Sequence, residues 1–382
     1  MGKSATYEFL RDLVAIDSVN PRLVPDAAGE RAIGERIGAE LRRHGLDVHT
    51  DEVEPGRSNV VGVLGAARPG RTLMLCGHMD TVGVDGMTDP FVPSDRDGRL
   101  YGRGTLDMKS GVAAMVCAAT EMADRGGLVA GRLVVAAVVD EEHASVGAEA
   151  LVRDWQADGA VVTEPTGLAI GTAHKGFIWV DVETRGCAAH GSRPAEGRDA
   201  ILYMGRILAR LERIQRELSA RPPHPLLGVP SLHASIIRGG QELSVYPARC
   251  SLSLERRTVG GEPDGIALDE VNTLIEELTR DDPQFDAAAQ LVFERRPYEI
   301  PEEHLLVTLL GQVAADHGLA SEPTGMSYWT DAAVLGQAGT PTVLFGPTGA
   351  GLHSVEEFVE IDSVWACQRV LVDLALAFCA GR

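Results

Sequence analysis

Apolar and polar positions change rhythm twice along the chain. Leu10 and Leu13, with Asp17, belong to a first amphipathic helix, and Ile33, Ile37 and Leu41 mark a second that Gly45 ends. Strand patterns follow at 48–53, 59–64 and 72–76, and a helix is predicted over 110–124. The stretch RLVVAAVVDEEHASVG then holds an apolar run, Leu133 to Val139, that reads as a buried strand. It ends in three consecutive acids, Asp140, Glu141 and Glu142. Like charges at the mouth of a core strand repel one another and resist burial. Their presence there calls for a counter-charge. A helix near 146–156 and a short strand over 160–163 complete this part, and the alternation of strands with helices predicts an α/β layer fold with a mainly buried sheet.

The rhythm changes after Lys175. Ile178, Val180 and Val182 alternate as in a half-exposed strand, and Ile201, Met204, Leu208, Leu211, Ile214 and Leu218 step by three and four along a long helix. Strands at 232–237 and 250–256, a helix carrying Leu268, Val271, Leu274 and Leu278, and a strand at 290–293 follow. The order βαββαβ is the ferredoxin-like unit. The pattern then returns to α/β, with helices over 303–317 and 331–336, a strand at 342–345 and a last helix from Asp362. The predicted organisation is one discontinuous α/β domain, 1–176 and 295–382, carrying an inserted domain over 177–294. No internal repeat is present.

The net charge of −20 argues against a nucleic-acid surface, where a basic patch is expected. It suits an acid-rich pocket that cations neutralise. No apolar run approaches the length of a membrane span. The N-terminal MGKSATYEFL lacks the apolar core of a secretion signal; it formally matches a myristoylation pattern through Met1, Gly2 and Thr6, but Ser4 reads equally well as a helix cap. Cys76, Cys117, Cys187, Cys250, Cys367 and Cys379 are scattered, show no CxxC pairing and read as buried thiols of a cytoplasmic protein.

Five segments carry candidate chemistry: LCGHMDTV with His78 and Asp80, YGRGTLDMKSG with Asp107, DEEHASVG with Glu141 and Glu142, VVTEPT with Glu164, and GPTGAGLHS with His353. Sites in open α/β sheets form at the carboxyl ends of strands, so these segments can converge on one crevice. Gathered carboxylates and imidazoles need divalent cations, and this donor set suits Zn²⁺, with Co²⁺ or Mn²⁺ as alternatives. His78 and Asp80 share one face of an extended chain, where Asp80 can accept the other ring N–H of His78. Glu141 and Glu142 diverge, so one can hold a metal while its neighbour reaches the attacking water. Singly, each feature has a plainer reading: a His-x-Asp pair caps a turn, an acidic pair sits at a helix N-terminus, and Asp140 caps or faces solvent.

Taken together, GHMDTV, GRGTLDMKSG, VVDEEHASVGA, TEPT and GLHSVEEFV resemble the acetylornithine deacetylase, succinyl-diaminopimelate desuccinylase and glutamate carboxypeptidase family of two-zinc hydrolases. The resemblance covers nearly the whole chain. It implies a zinc-aminopeptidase-like catalytic domain with an inserted lid and dimerisation domain, two Zn²⁺ per subunit and a homodimer joined through the insert. It also implies that Asp107 bridges both metals, with His78 and Glu164 completing one site and Glu142 and His353 the other. Glu141 is the implied general base and Asp80 the residue that orients His78. A cis peptide is implied after Asp107. In the insert, His190 of CAAHGSRP is implied to stabilise the oxyanion across the dimer, and Arg257 of LERRTVGGE to grip a substrate carboxylate, with Arg256 the alternative.

Two segments depart from the family. Ser244 of GGQELSVYP stands where asparagine is common, and SYWTDAAV lacks the usual Gly-Thr, leaving Asp331 to cap a helix or, as the second reading, to reach substrate. The leading expectation is a metal-dependent hydrolase of an N-acyl amino acid. A dipeptidase or glutamate-type carboxypeptidase comes second, and a non-catalytic metal- or substrate-binding homologue third.

Overall fold

The computed structural model describes residues 3–381. Met1 and Gly2 of the lipidation pattern lie outside them, and Ser4 sits inside the helix Lys3–Val14. Contacts divide the chain into two units. One comprises the chain up to Thr172, Ile300–Thr324 and the chain from Thr330 onward; the other comprises Ala173–Glu299 with Gly325–Trp329.

The first unit is built on a mixed sheet. Its strands lie in the order Asp47–Glu54, Arg57–Gly65, Arg132–Val138, Thr72–His78, Gly159–Val162 and Thr342–Leu344. The last four are mutually parallel, while the two at the Asp47 edge are antiparallel. The central strands are apolar at every buried position except His78, which ends its strand, as strands covered on both faces must be. Helix Lys109–Asp124 is buried almost throughout and shows no polar face, because it packs between the sheet and helix Ile361–Cys379. Gly111 permits its approach: a Cβ there would stand 1.9 Å from the Thr163 carbonyl oxygen. A small second sheet joins Ser94–Arg96, Arg99–Tyr101, Gly349–Ala350 and Phe358–Glu360. Its strands are two or three residues long, too short for a periodic signal.

In the second unit the elements run Gly176–Arg185, helix Ala200–Ser219, Ser231–Gly239, Arg249–Thr258, helix Ile266–Asp281 and Ala287–Arg295, which is βαββαβ order. They form an antiparallel sheet with Ser231–Gly239 at one edge and Ala287–Arg295 at the other. Ile178, Val180, Val182, Leu252 and Leu254 pack with Met204, Ile207, Val271 and Leu274 of the two helices. Asp199 caps the first helix by accepting from the Leu202 amide. Five cysteines are buried and Cys187 is half-buried. No helix among the described residues is long and apolar enough to cross a membrane.

Candidate metal centre

Strand register brings the acidic segments together. His78 pairs with Val138, and Cys76 with Val162, in parallel strands. Glu141 and Glu142 follow the first partner and Glu164 follows the second, so all leave the sheet at the same carboxyl edge as His78. Asp107 enters from the turn before helix Lys109–Asp124, and the Asp107–Met108 peptide is cis. His353 comes from the segment after Thr342–Leu344.

Asp107 stands at the centre, its two oxygens facing different histidines. Oδ1 lies 3.1 Å from His78 Nε2, and Oδ2 lies 3.3 Å from His353 Nε2. Around His78 Nε2 stand Glu164 Oε1 at 3.6 Å and Glu141 Oε2 at 4.0 Å. Around His353 Nε2 stands Glu142 Oε2 at 3.1 Å. The other oxygen of Glu142 is buried and has no hydrogen-bond partner, which a cation would satisfy. Ligand atoms of His78, Glu141 and Glu164 lie within 4.8 Å of one another, as do those of His78, Asp107 and Glu142. Distance alone thus admits Glu141 as a ligand, but its oxygen lies farther from His78 Nε2 than those of Asp107 and Glu164. The donor set of imidazole nitrogen and carboxylate oxygen fits Zn²⁺, Co²⁺ or Mn²⁺.

The charges in this pocket perturb one another. Burial, with Glu164, Asp331 and Glu142 nearby, pushes the Glu141 carboxyl well up against the pull of His78. Burial and the Asp107 charge do the same to Glu164 and raise Glu142 to about 7. Burial also opposes ionisation of Asp107, but hydrogen bonds from His353 and His78 hold it below the usual range. Hydrogen bonds to Asp107 and Glu142 push His353 up to about 10. Burial works against the His78 imidazolium, yet Asp107, Glu164 and Glu141 raise it well above the ordinary value. Such a cluster demands positive charge, whether as protons or as cations. His353 itself is 55% exposed and has a left-handed backbone, φ 56°, a conformation that usually persists only where its surroundings hold it.

Asp80 acts through both its main chain and its side chain. His78 Nδ1 lies 2.9 Å from the Asp80 carbonyl oxygen, which fixes the tautomer that leaves Nε2 facing Asp107. The Asp80 carboxylate is farther from the ring, at 3.6 Å. It accepts instead from Asn20 Nδ2 at 2.7 Å and from the amides of Glu141 and Glu142 at 3.1 and 3.2 Å. The turn bearing both glutamates therefore hangs on Asp80.

Asp140 neither caps nor faces solvent. It is buried, takes a φ of 71° and accepts from Arg57 Nη1 at 2.9 Å and Asn20 Nδ2 at 3.1 Å. Arg57 also pairs with buried Glu30. Breaking such a pair by removing one partner costs about 3–5 kcal/mol, so this ion network braces the acidic turn from behind. Asp331 starts helix Ala332–Gln337 but makes no side-chain cap; its buried charge bears on Glu141 and Glu164 instead. Sequence pattern carries no trace of these partners; Asn20 and Asp140 alone lie 120 residues apart.

The remaining candidates lie on the second unit. His190 is exposed, and its Nδ1 accepts from the Ser192 amide at 3.2 Å, so a neutral ring carries its proton on Nε2. Ser244 supports this loop through its carbonyl, which accepts from the Gly191 amide at 2.7 Å. Arg257 donates to Glu255 at 2.7 Å and stacks 5.3 Å from the Phe177 ring. Arg256 is wholly buried, bound to Glu262, Glu270 and the Arg257 carbonyl, and so is not free for a ligand.

Two histidines and three glutamates gathered around a shared aspartate at the edge of an α/β sheet form a donor set of the kind that hydrolase metal centres use. The sequence model of peptidase family M20/M25/M40 matches residues 74–377, and the chain belongs to that family. An acetylornithine deacetylase of Myxococcus xanthus is 31% identical, over 98% of this chain and 97% of its own. Among solved structures, a tripeptidase of Staphylococcus aureus superposes with a TM-score of 0.83 at 20% identity, each chain covered to 99%. A dinuclear metal binding peptidase of Bacillus subtilis superposes at 0.76 with 14% identity, over 99% of this chain and 98% of its own. The protein is a metal-dependent hydrolase of amide or peptide bonds.

Proposed function

We propose that the protein removes the acyl group from an N-acyl amino acid of the acetylornithine type. The observation that carries this reading is the division of Asp107 between two histidine-centred donor groups, with Glu141 beside them. Support for the substrate class comes from the whole-length similarity to an acetylornithine deacetylase.

His78, Asp107 and Glu164 would hold one Zn²⁺, and Asp107, Glu142 and His353 a second, with Co²⁺ or Mn²⁺ as substitutes. Bound there, such ions would supply the positive charge that acidifies a water and polarises the scissile carbonyl. Glu141 takes a proton from that water as the C–O bond forms, and delivers it to the nitrogen as the C–N bond breaks. The products are a carboxylate and a free amine. Asp80 keeps His78 in one tautomer and fixes the main chain beneath Glu141. His190 donates its Nε2–H to the developing oxyanion, and the planar Arg257 guanidinium takes the substrate carboxylate from Glu255.

N-acetyl, N-succinyl and N-formyl amino acids and a set of dipeptides, assayed for amine release, test this reading. N-acetyl amino acids are expected to give the highest kcat/KM. Preferential cleavage of dipeptides would move the protein to the peptidase side of the family, which shares the same site chemistry.

The protein is further proposed to form a homodimer through the second unit. The edge strand Ser231–Gly239 exposes Ile236 and Ile237, and Ile201 and Leu202 of the adjacent helix are also exposed. An uncovered apolar edge of this kind invites strand pairing. Sedimentation is expected to show a dimer that Ile237→Asp converts to monomer, with loss of turnover if His190 serves the partner's site. A monomeric wild-type protein would rule out both ideas.

A further inference from the structure

The loops that carry Asp107 and His353 share a carboxylate outside the candidate ligand set. Glu357 is buried and accepts from the amides of Gly104 at 2.9 Å, Leu106 at 2.8 Å and Asp107 at 3.0 Å. Its fourth donor is Arg103 Nη1, at 2.7 Å. Arg103 is equally buried, and the rest of its guanidinium is committed to main chain: Nη2 to the Ser354 carbonyl at 3.1 Å and Nε to the Gly83 carbonyl at 3.2 Å. Ser354 follows His353, and Gly83 lies in the segment that follows His78 and Asp80. One ion pair thus ties together three loops bearing candidate ligands.

We infer that Glu357, closed by Arg103, is a positioning residue that sets where the Asp107 carboxylate and His353 stand. The inference rests on the reading that these two residues hold cations. A carboxylate offers the lone pairs that four convergent donors require. Glutamine at this position has one acceptor oxygen and presents an NH₂ to amides that cannot accept it, so the Asp107 turn must shift. The planar fork of Arg103 matches two carbonyls and a carboxylate at once, which an ammonium does not. Such an arrangement fixes ligand geometry without touching substrate, and outer partners of this kind alter metal affinity about 10–100-fold when replaced.

Full-length protein stripped with chelator and titrated with CoCl₂, followed by calorimetry and visible absorption, tests the inference. Wild-type protein is expected to take up two Co²⁺. Glu357→Gln is expected to bind the second about 10–100-fold more weakly, with kcat lowered and KM little changed. Uptake of fewer than two ions by wild-type protein would defeat the two-cation reading itself. Two ions bound equally well by wild type and Glu357→Gln would overturn the inference while leaving that reading intact. A variant that loses only thermal stability, with both Co²⁺ affinities unchanged, overturns it as well. Should Glu357→Gln not fold, Arg103→Lys keeps the charge beside Glu357 but gives up the carbonyl contacts. It is expected to weaken the second Co²⁺ too, and wild-type titration would again overturn the inference.

Discussion

Replacing Glu141 with glutamine is expected to lower turnover at least a hundredfold while the protein keeps its metal. General acid–base catalysis contributes about 10²–10⁴-fold, and glutamine removes the proton acceptor without changing side-chain length. The expected retention of metal follows from geometry. Glu141 Oε2 lies 4.0 Å from His78 Nε2, farther than the Asp107 and Glu164 oxygens, whereas Glu142 lies 3.1 Å from His353 and keeps a second, unpartnered buried oxygen. Glu142→Gln is accordingly the contrast, expected to lose metal as well as turnover. Steady-state rates paired with metal analysis by atomic absorption separate the two. Near-normal turnover in Glu141→Gln would remove it from the role of base, and loss of metal would make it a ligand.

Chelation is expected to abolish hydrolysis and to lower the thermal unfolding midpoint, with both restored by Zn²⁺ or Co²⁺. Asp107, Glu142 and Glu164 crowd a pocket where burial resists their charge. Cations that bind only the folded chain stabilise it by about 2.7 kcal/mol at a hundredfold excess over Kd. They also compete with protons. Glu142 is raised to about 7 and His353 to about 10, so both hold protons more readily than ordinary groups of their kind. Falling pH therefore favours the proton over the metal, and affinity should weaken as pH drops through 7. Titrations at pH 6, 7 and 8 check the sign, and hydrolysis undiminished in chelator would end the metal mechanism.

The segments about His78, Asp107, Glu141, Glu164 and His353 were legible because each is a short motif at the end of a periodic element. Both amphipathic helices of the second unit could be read for the same reason: apolar side chains at three- and four-residue steps leave a pattern that burial must produce. The tiny strands at Ser94–Arg96 and Phe358–Glu360 left none, being shorter than one full alternation in each direction.

Asp140 marks the boundary between the two kinds of information. As the first of three acids it looked like a solvated cap, yet it is buried against Arg57 and Asn20. Glu357 sits within the GLHSVEEFV motif but discloses its task only through amides some 250 residues away. The chain by itself marked which residues are candidates for chemistry, through residue type and motif resemblance, and the order of the elements, through local periodicity. Only the tertiary structure decided which charges face one another, because a buried ion finds its partner through strand register and loop closure, which bring together residues at any separation along the chain.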